Sequence, residues 1–372
     1  MTMNDLYIGL MSGTSADGID AVLVEFSQTK PHVIATHYTP YPETLRQQIL
    51  ALCQPGENEI QRLGELDTLL GTLLSEAANS LIHSQSLTAK AIRAIGSHGQ
   101  TIRHAPNQPH RFTLQIGDPN TIAALTGITT VADFRRKDVA CGGQGAPLVP
   151  AFHHDAFASA STPRAIVNIG GMANVTLLPT AFTTRLIGFD TGPGNALLDG
   201  WIQTHQQQTH DQNGAWGAQG TLQKTLLTQC LSDPYFQLPP PKSTGREHFN
   251  QAWLRHQLAS LPSSFTPRDI QATLTELTAQ TIVNAIASHL PSGDILVCGG
   301  GAHNTFLMNR LTALAAPAFQ VRSTESDGIH PDWVEAIAFA WLAKRTLEKK
   351  SGNLPSVTGA NQASILGGIY YA

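Results

Sequence analysis

The chain has 372 residues, too many for one ordinary hydrophobic core, so two lobes are expected. At 41% hydrophobic and 13% charged, it reads as a folded chain rather than a disordered one. A formal net charge of -4, with 15 histidines spread along the chain, provides no basic field to hold nucleic acid or an anionic membrane.

The opening MTMNDLYIGLMSGTSADG has no basic start and breaks its apolar stretch with Gly and Ser, unlike a signal peptide or a membrane span. Two apolar runs, Leu6–Met11 and Ile19–Phe26, flank a Gly-containing turn and predict a β-hairpin. Leu45–Leu52 and Ile60–His83 carry helical apolar spacing. Short strands are expected at Ala94–Ser97 and Phe112–Ile116, and a helix at Pro119–Leu125 with Asp118 as its cap. Residues 133–150, rich in Gly, Pro and charge, read as a functional loop near a lobe boundary. Strands follow at Ala165–Ile169, Asn174–Leu178 and Arg185–Phe189, the last ending at Asp190, and then a helix at Ala196–Gln207. Thr204–Gly220 reads as a polar surface segment and Pro239–Pro241 as a stiff break. Ile270–Leu290 predicts a long amphipathic helix, Asp294–Cys298 a buried strand, and Asn304–Ala315 and Trp333–Lys349 two further helices. The strand-turn-strand unit at the start recurs near Gly170, a hint of two related lobes. The cysteines, Cys53, Cys141, Cys230 and Cys298, form neither a CxxC pair nor a zinc spacing, so reduced thiols are expected.

Four glycine-containing strings can carry chemistry. In Gly9–Asp20, glycines permit close backbone approach to an anion, and Ser12, Thr14 and Ser15 add hydroxyls beside turn amides that can form a nest. Asp17 and Asp20 can hold a magnesium ion through water. The string is neither a Walker A loop nor a dinucleotide fingerprint, and an ordinary polar hairpin turn has the same composition. Asn168–Asn174, with Gly170 and Gly171, reads as a second tight hairpin, structural alone but suggestive of a polyphosphate grip when paired with the first. In Gly188–Asn195, Asp190 stands at a strand end before Gly192-Pro193-Gly194. A carboxylate there is suited to general-base work, and a turn-capping aspartate is the plain alternative. Gly299, Gly300 and Gly301 follow a buried strand and precede a helix, which suits a nucleotide base or an anion. Arg135 suits a phosphate or a carboxylate as well as a solvated loop. His98 and Gln100 follow a strand and can reach a polar ligand. Glu335 lies inside a helix, on a buried or an exposed face, and Asp199 is expected to be solvated or capping.

Taken in order, Met11–Asp20, Ser97–Thr101, Gln115–Pro119, Ala132–Arg135, Asn168–Gly171, Phe189–Asn195 and Cys298–Gly301 resemble the anhydro-N-acetylmuramic acid kinase family, and the likeness runs from Tyr7 to the C-terminus. The resemblance implies an α/β, two-lobed ribonuclease H-like fold of the actin, sugar-kinase and acetate-kinase type, with an ATP cleft between lobes. The lobes would comprise residues 1–132 with 355–372, and 133–354. It implies a phosphate loop over Ser12, Gly13, Thr14, Ser15, Ala16, Asp17, Gly18 and Ile19; the glycine turns read above add candidate nucleotide contacts at Gly170, Gly171 and Gly299–Gly301. Asp190 would be the general base; His98, Asp118, Arg135 and Glu335 are sugar-contact candidates by their position in the sequence alone. ATP and Mg2+ are the implied cofactors, an amino sugar the substrate, and a homodimer in the cytoplasm the implied form. The implied reaction opens the 1,6-anhydro ring with water and phosphorylates O6, in peptidoglycan recycling. Rival readings are another kinase of the same fold, a chaperone or filament protein, and an inactive nucleotide sensor. A metal-dependent transferase is disfavoured, because neither His98/His104 nor His153-His154-Asp155 has ligand spacing.

Overall fold

The computed structural model describes residues 5–27, 30–180, 186–259, 261 and 265–372. The chain starts with the antiparallel strands β1 (Leu6–Met11), β2 (Gly18–Glu25) and β3 (His32–Pro40), followed by α1 (Glu43–Leu52) and α2 (Glu59–Ser84). Next come β4 (Ala94–Ser97), the ribbon β5 (Gln100–Ala105) and β6 (Phe112–Ile116), α3 (Pro119–Thr126), β7 (Thr130–Ala132), α4 (Phe134–Ala140) and α5 (Val149–Phe157). A second series follows: β8 (Arg164–Ile169), β9 (Met172–Leu178), β10 (Ile187–Pro193), α6 (Ala196–Gln206), α7 (Lys224–Leu231), α8 (Gln251–Ala259), α9 (Pro267–Ala287), β11 (Gly293–Cys298), α10 (Thr305–Ala315) and β12 (Phe319–Ser323). The chain ends with α11 (Val334–Leu347), α12 (Pro355–Thr358) and β13 (Gly368–Tyr370).

Contacts divide these elements into two compact units, Met1–Ala156 with Trp333–Ala372, and Phe157–Asp332. The divisions expected after residues 132 and 354 therefore shift, leaving α4, most of α5 and all of α11 in the first unit. The reason is packing: α11 lies on β1 and β4. The Trp341 indole N–H also donates to Asp155 of α5 at 2.8 Å.

The first sheet has the order β13-β7-β4-β1-β2-β3 and the second β10-β9-β8-β11-β12. In each, an antiparallel three-strand meander is extended by parallel strands beside its first strand. Setting β13 aside, both sheets read 3-2-1-4-5, the ribonuclease H-like order. The repetition hinted at by the two glycine hairpins is thus a repetition of whole units. β13 pairs antiparallel with β7 and closes the first sheet.

Alternation along β1 and β2 sends Ile8, Leu10, Ile19, Ala21 and Leu23 into one core with Leu70, Leu74 and Ala78 of α2. Gly9 and Gly96 stand opposite each other in the β1–β4 pairing. A Cβ on Gly9 would collide with Ala336 O, and one on Gly96 with Phe339 O. Helix α11 therefore rests on bare backbone.

Three expectations are corrected. Residues 133–150 are not one loop. Phe134, Asp138 and Val139 share a buried face, so α4 forms despite the charged composition, and only the stretch before α5 is a turn. β10 runs past Asp190 to Pro193, with a register shift between Asp190 and Gly192; the expected start at Arg185 lies outside the described residues. α9 is not amphipathic but buried nearly all round, with Ala279 and Ile282 in the sheet core and Ile270, Leu274 and Leu277 in a cluster with α6, α7 and α8. Its polar threonines are satisfied internally: Thr273 Oγ1 donates to Asp269 O at 2.7 Å and Thr275 Oγ1 to Gln271 O at 3.0 Å. Among the described residues no helix is long and apolar enough to cross a membrane.

Gly96→Ala should destabilise the first unit by about 3 kcal/mol, the upper range for overpacking, because the obstruction is helix backbone rather than a movable side chain. Hydrogen exchange of the β1 and β4 amides reads this directly, and protection equal to the parent's would refute it.

Candidate active site

In the first unit the β1–β2 turn is locked by Ser12. Its buried hydroxyl is 2.9 Å from Gly18 O and 2.7 Å from Gln100 Oε1. Ser12 thus holds the turn shut, and the exposed hydroxyl of Thr14 is the one presented outward. The turn closes through Ala16 N–H to Gly13 O at 3.1 Å. Ala16 has φ 51°, a left-handed conformation costly for a residue with a Cβ. Among the described residues no hydrogen bond uses the amides of Gly13, Thr14 or Ser15. Asp17 is exposed, and its Oδ1 accepts from Ser15 Oγ at 2.8 Å. Asp17 and Asp20 both lie near Tyr38, whose phenol is raised first by burial and then by these two charges.

His98 lies directly beneath this turn. Its Nδ1 is 2.8 Å from Gly99 O and 3.2 Å from Ser12 O, so Nδ1 carries the proton. Its Nε2 accepts from Arg135, at 3.1 Å from Nε and 2.9 Å from Nη2. Burial, reinforced by Arg135, pushes the His98 pKa down to about 3. Arg135 also donates from Nη1 to Gly145 O at 2.9 Å. Its own pKa falls to about 10 through burial, opposed by Glu335 and Asp138. Glu335 is raised by burial against the pull of Arg135. Asp138 holds the glycine turn from below: its carboxylate accepts from the Gly145 amide (2.8 Å), Asn353 Nδ2 (2.6 Å) and Thr358 Oγ1 (2.8 Å).

His98, Arg135 and Glu335 thus gather beside the Ser12 turn. Asp118 does not join them. Its Oδ1 accepts from the Asn120 amide and side chain, and its Oδ2 from the Thr121 amide and hydroxyl, at 2.6–3.0 Å, so it caps α3.

In the second unit three loops pack together at the ends of β8 and β11. The Asn195 amide donates to Gly170 O at 2.8 Å, and the Gly194 and Ala196 amides donate to Gly171 O at 3.0 Å. The Gly170 amide itself donates to Met172 O at 3.2 Å, so the donors expected from this hairpin are partly used. Gly299 has φ 77°, and a Cβ there would strike Asn168 Oδ1. Gly301 lies on Ile169. The glycine triplet does not lead straight into α10: a 3-10 turn intervenes, and Asn304 Oδ1 caps the helix by accepting from the Leu307 amide at 2.9 Å.

Asp190 stands at the β10 bulge. Its Oδ2 accepts from the Thr244 amide at 3.0 Å. Burial raises its pKa to about 6, with the Thr244 N–H opposing and Glu247 adding. Asp199, expected to be solvated or capping, is instead pushed up to about 7 by burial, with Arg246 opposing and Asp211 adding. The Thr278 hydroxyl of α9 lies 3.1 Å from both Pro193 O and Gly194 O and anchors the turn after Asp190. The contribution of Lys242–Glu247 was not legible. Its only signal is a short polar run after three prolines.

The family model for anhydro-N-acetylmuramic acid kinase matches residues 5–372. The chain belongs to the anhydro-N-acetylmuramic acid kinase family. It is 55% identical over 366 residues to the anhydro-N-acetylmuramic acid kinase of Coxiella burnetii (strain RSA 493 / Nine Mile phase I), covering 98% of this chain and 97% of that one. It is 53% identical over 372 residues to that of Shewanella denitrificans, covering 100% of each. Among solved structures it is similar to the activator of the 2-hydroxyisocaproyl-CoA dehydratase from Clostridium difficile with bound ADPNP, at 12% identity and a TM-score of 0.48, over 92% of this chain and 97% of that one. Membership of this kinase family makes the chain a small-molecule kinase rather than a chaperone or filament protein.

His98 is held by a donor on one side and an acceptor on the other. Its imidazole should stay neutral, in the Nδ1–H form, far below the usual histidine midpoint of about 6.5. Long-range nitrogen–proton NMR reads the tautomer, and titration of His98 near its ordinary value would contradict the arrangement.

Proposed function

We propose that the chain uses ATP to convert 1,6-anhydro-N-acetylmuramic acid to N-acetylmuramic acid 6-phosphate, with Asp190 as general base and the Ser12–Ile19 turn as phosphate loop. The reaction follows from membership of the family over nearly the whole chain. The Asp190 assignment rests on its environment: a carboxylate at a strand bulge, made more basic by burial, with its Oδ2 oriented by one amide.

The chemistry balances in one passage. Water attacks the anomeric carbon and gives its proton to Asp190. The bond from that carbon to the bridging oxygen breaks, and the freed O6 takes the γ-phosphoryl group, releasing ADP. Cleavage of the anomeric carbon–O6 bond builds negative charge on O6, and the forming O6–phosphorus bond draws it off, so ring opening and transfer assist each other. The unused amides of Gly13, Thr14 and Ser15 suit phosphate oxygens, as does Thr14 Oγ1. His98 is a fixed acceptor that aims Arg135, and Arg135 with Glu335 supplies a charged, buried pair for sugar hydroxyls or carboxylate. The glycines of 170–171 and 299–301 are assigned to the nucleotide.

Asp17 and Asp20 suit a hydrated Mg2+ held through water, because Asp17 is exposed and Asp20 half-buried beside the same turn. When bound, the ion would neutralise charge on the transferring phosphoryl group. We further propose a cytoplasmic homodimer, engaged in peptidoglycan recycling. ATP as co-substrate supports the location, and light scattering at twice the 39.8 kDa chain mass would support the dimer.

Purified protein with ATP and magnesium should release ADP only when the anhydro sugar is present, one ADP per product heavier by one water and one phosphoryl group. Sugar-independent ADP release, or none, would move the function elsewhere. Asp190→Asn should keep ATP binding and lose most turnover; a parental rate would remove Asp190 from the role. Because a base must be unprotonated, kcat/KM should fall as pH drops through about 6, the Asp190 value. A rate flat through that region would count against it.

A further inference from the structure

Asp190 is held at three points by one short segment. Its amide donates to Lys242 O at 3.1 Å. Its carbonyl accepts from the Tyr235 hydroxyl at 2.7 Å. Its carboxylate accepts from the Thr244 amide at 3.0 Å. Two of these points are themselves joined, because Lys242 Nζ donates to Tyr235 O at 3.1 Å and to Phe236 O at 3.4 Å. Asp190, Tyr235 and Lys242 therefore form a closed circuit of hydrogen bonds around the residue assigned as base.

The local need for such a circuit is clear. β10 is the edge strand of its sheet, and the register shift at Asp190 and Gly192 breaks its ladder with β9. An edge strand at a bulge lacks neighbours on one side and a regular ladder on the other. The 235–244 segment supplies the missing partners. It is itself stiff. Tyr235 is buried and packs edge-on against Phe236, His248 and Phe249, with ring centroids 5.6–6.0 Å apart. Asp233 fixes the start of the turn, accepting from the Tyr235 amide at 2.9 Å and the Trp253 indole at 2.8 Å, with His248 Nε2 at 3.1 Å. The Lys242 ammonium lies 4.7 Å from the Tyr235 ring centroid and 5.9 Å from that of Phe189. No ion pair to a carboxylate involves it among the described residues. A half-buried cation spent on two backbone carbonyls and two aromatic faces holds position, because an apolar side chain of similar length would fill the space without the desolvation cost.

We propose that Tyr235 and Lys242 are positioning residues that fix the backbone and carboxylate of Asp190 for proton abstraction, and so govern kcat rather than substrate binding. The inference rests on Asp190 being the base. Neither side chain is assigned a contact with sugar or nucleotide.

The test compares Tyr235→Phe, which removes one oxygen and keeps the ring, with Lys242→Met and Lys242→Arg, each alone and with Tyr235→Phe also placed in the Asp190→Asn background. Tyr235→Phe and Lys242→Met should each lower kcat about tenfold to a hundredfold, the scale on which misplacing a reacting group acts. KM for sugar and ATP should stay within about twofold. Lys242→Arg, which keeps a cationic donor, should recover part of the loss. In Asp190→Asn the Tyr235→Phe change should have no further effect on the residual rate. Parental kcat in Tyr235→Phe beside an inactive Asp190→Asn overturns the positioning role and leaves the base in place. An equal fractional loss in the Asp190→Asn background also overturns it, as does a rise in KM with kcat unchanged. A parental rate in Asp190→Asn removes the base assignment itself, a result distinct from the others. If Lys242→Met fails to fold by its thermal midpoint, Tyr235→Phe alone decides.

Discussion

The first unit depends on one steric condition, the absence of side chains at Gly9 and Gly96. These residues face each other across β1 and β4 and leave a bare patch against which the α11 backbone sits. With the helix that close, Phe339 lies 4.7 Å from the His98 ring and 5.7 Å from Phe134, the residue before Arg135. The same helix carries Glu335 at its first turn. Helix depth therefore sets where the imidazole, the guanidinium and the carboxylate stand. The small residues Ala336, Ala340 and Ala343 on α11 answer the glycines of the sheet, so both surfaces are shaped for close approach.

Polar groups in this region are spent on one another before any ligand arrives. Ser12 closes its turn, His98 ties that turn to Arg135, Arg135 grips Gly145, and Asp138 grips Gly145 together with Asn353 and Thr358. Fully partnered buried networks rigidify, whereas partly partnered ones are costly. The Gly13–Ser15 amides are the contrast, being donors left over at a turn whose Ser12 hydroxyl is already bonded inward.

Much of this was legible because local signals and global packing agreed. The apolar runs of β1 and β2, the stripe of α2 and the Asp118 cap at Pro119 each carried a periodicity or a capping pattern that the fold uses unchanged. The Asp190 string stood out as a strand meeting a glycine-rich turn, although the strand runs on through it to Pro193. Other features were hidden because their cause is non-local. α4 has a surface-like composition and folds through two buried residues beside Asp138. α9 looks amphipathic because its threonines are polar, yet those hydroxyls are satisfied within the helix and by Pro193 and Gly194. The segment holding Asp190 offers backbone carbonyls and amides, which no residue pattern advertises. Ser12 reads as a phosphate-loop hydroxyl by type, and its bonds to Gly18 O and Gln100 Oε1, the second made across the fold, were not legible.

The antiparallel pairing of β13 with β7 bears on how the molecule is made. The second unit is one unbroken stretch, Phe157–Asp332, whereas the first waits for α11 and β13 from the far end of the chain. As the ribosome delivers residues in order, the strands β1, β4 and β7 emerge early, without the helix that covers Gly9 and Gly96 and without the strand that covers the edge of β7. The inserted unit is able to complete its own sheet first, since domains tend to fold as they emerge. The unit whose first strands precede the insert is therefore the last to close. Its sheet face at Gly9 and Gly96 lacks its helical cover until the insert has been translated.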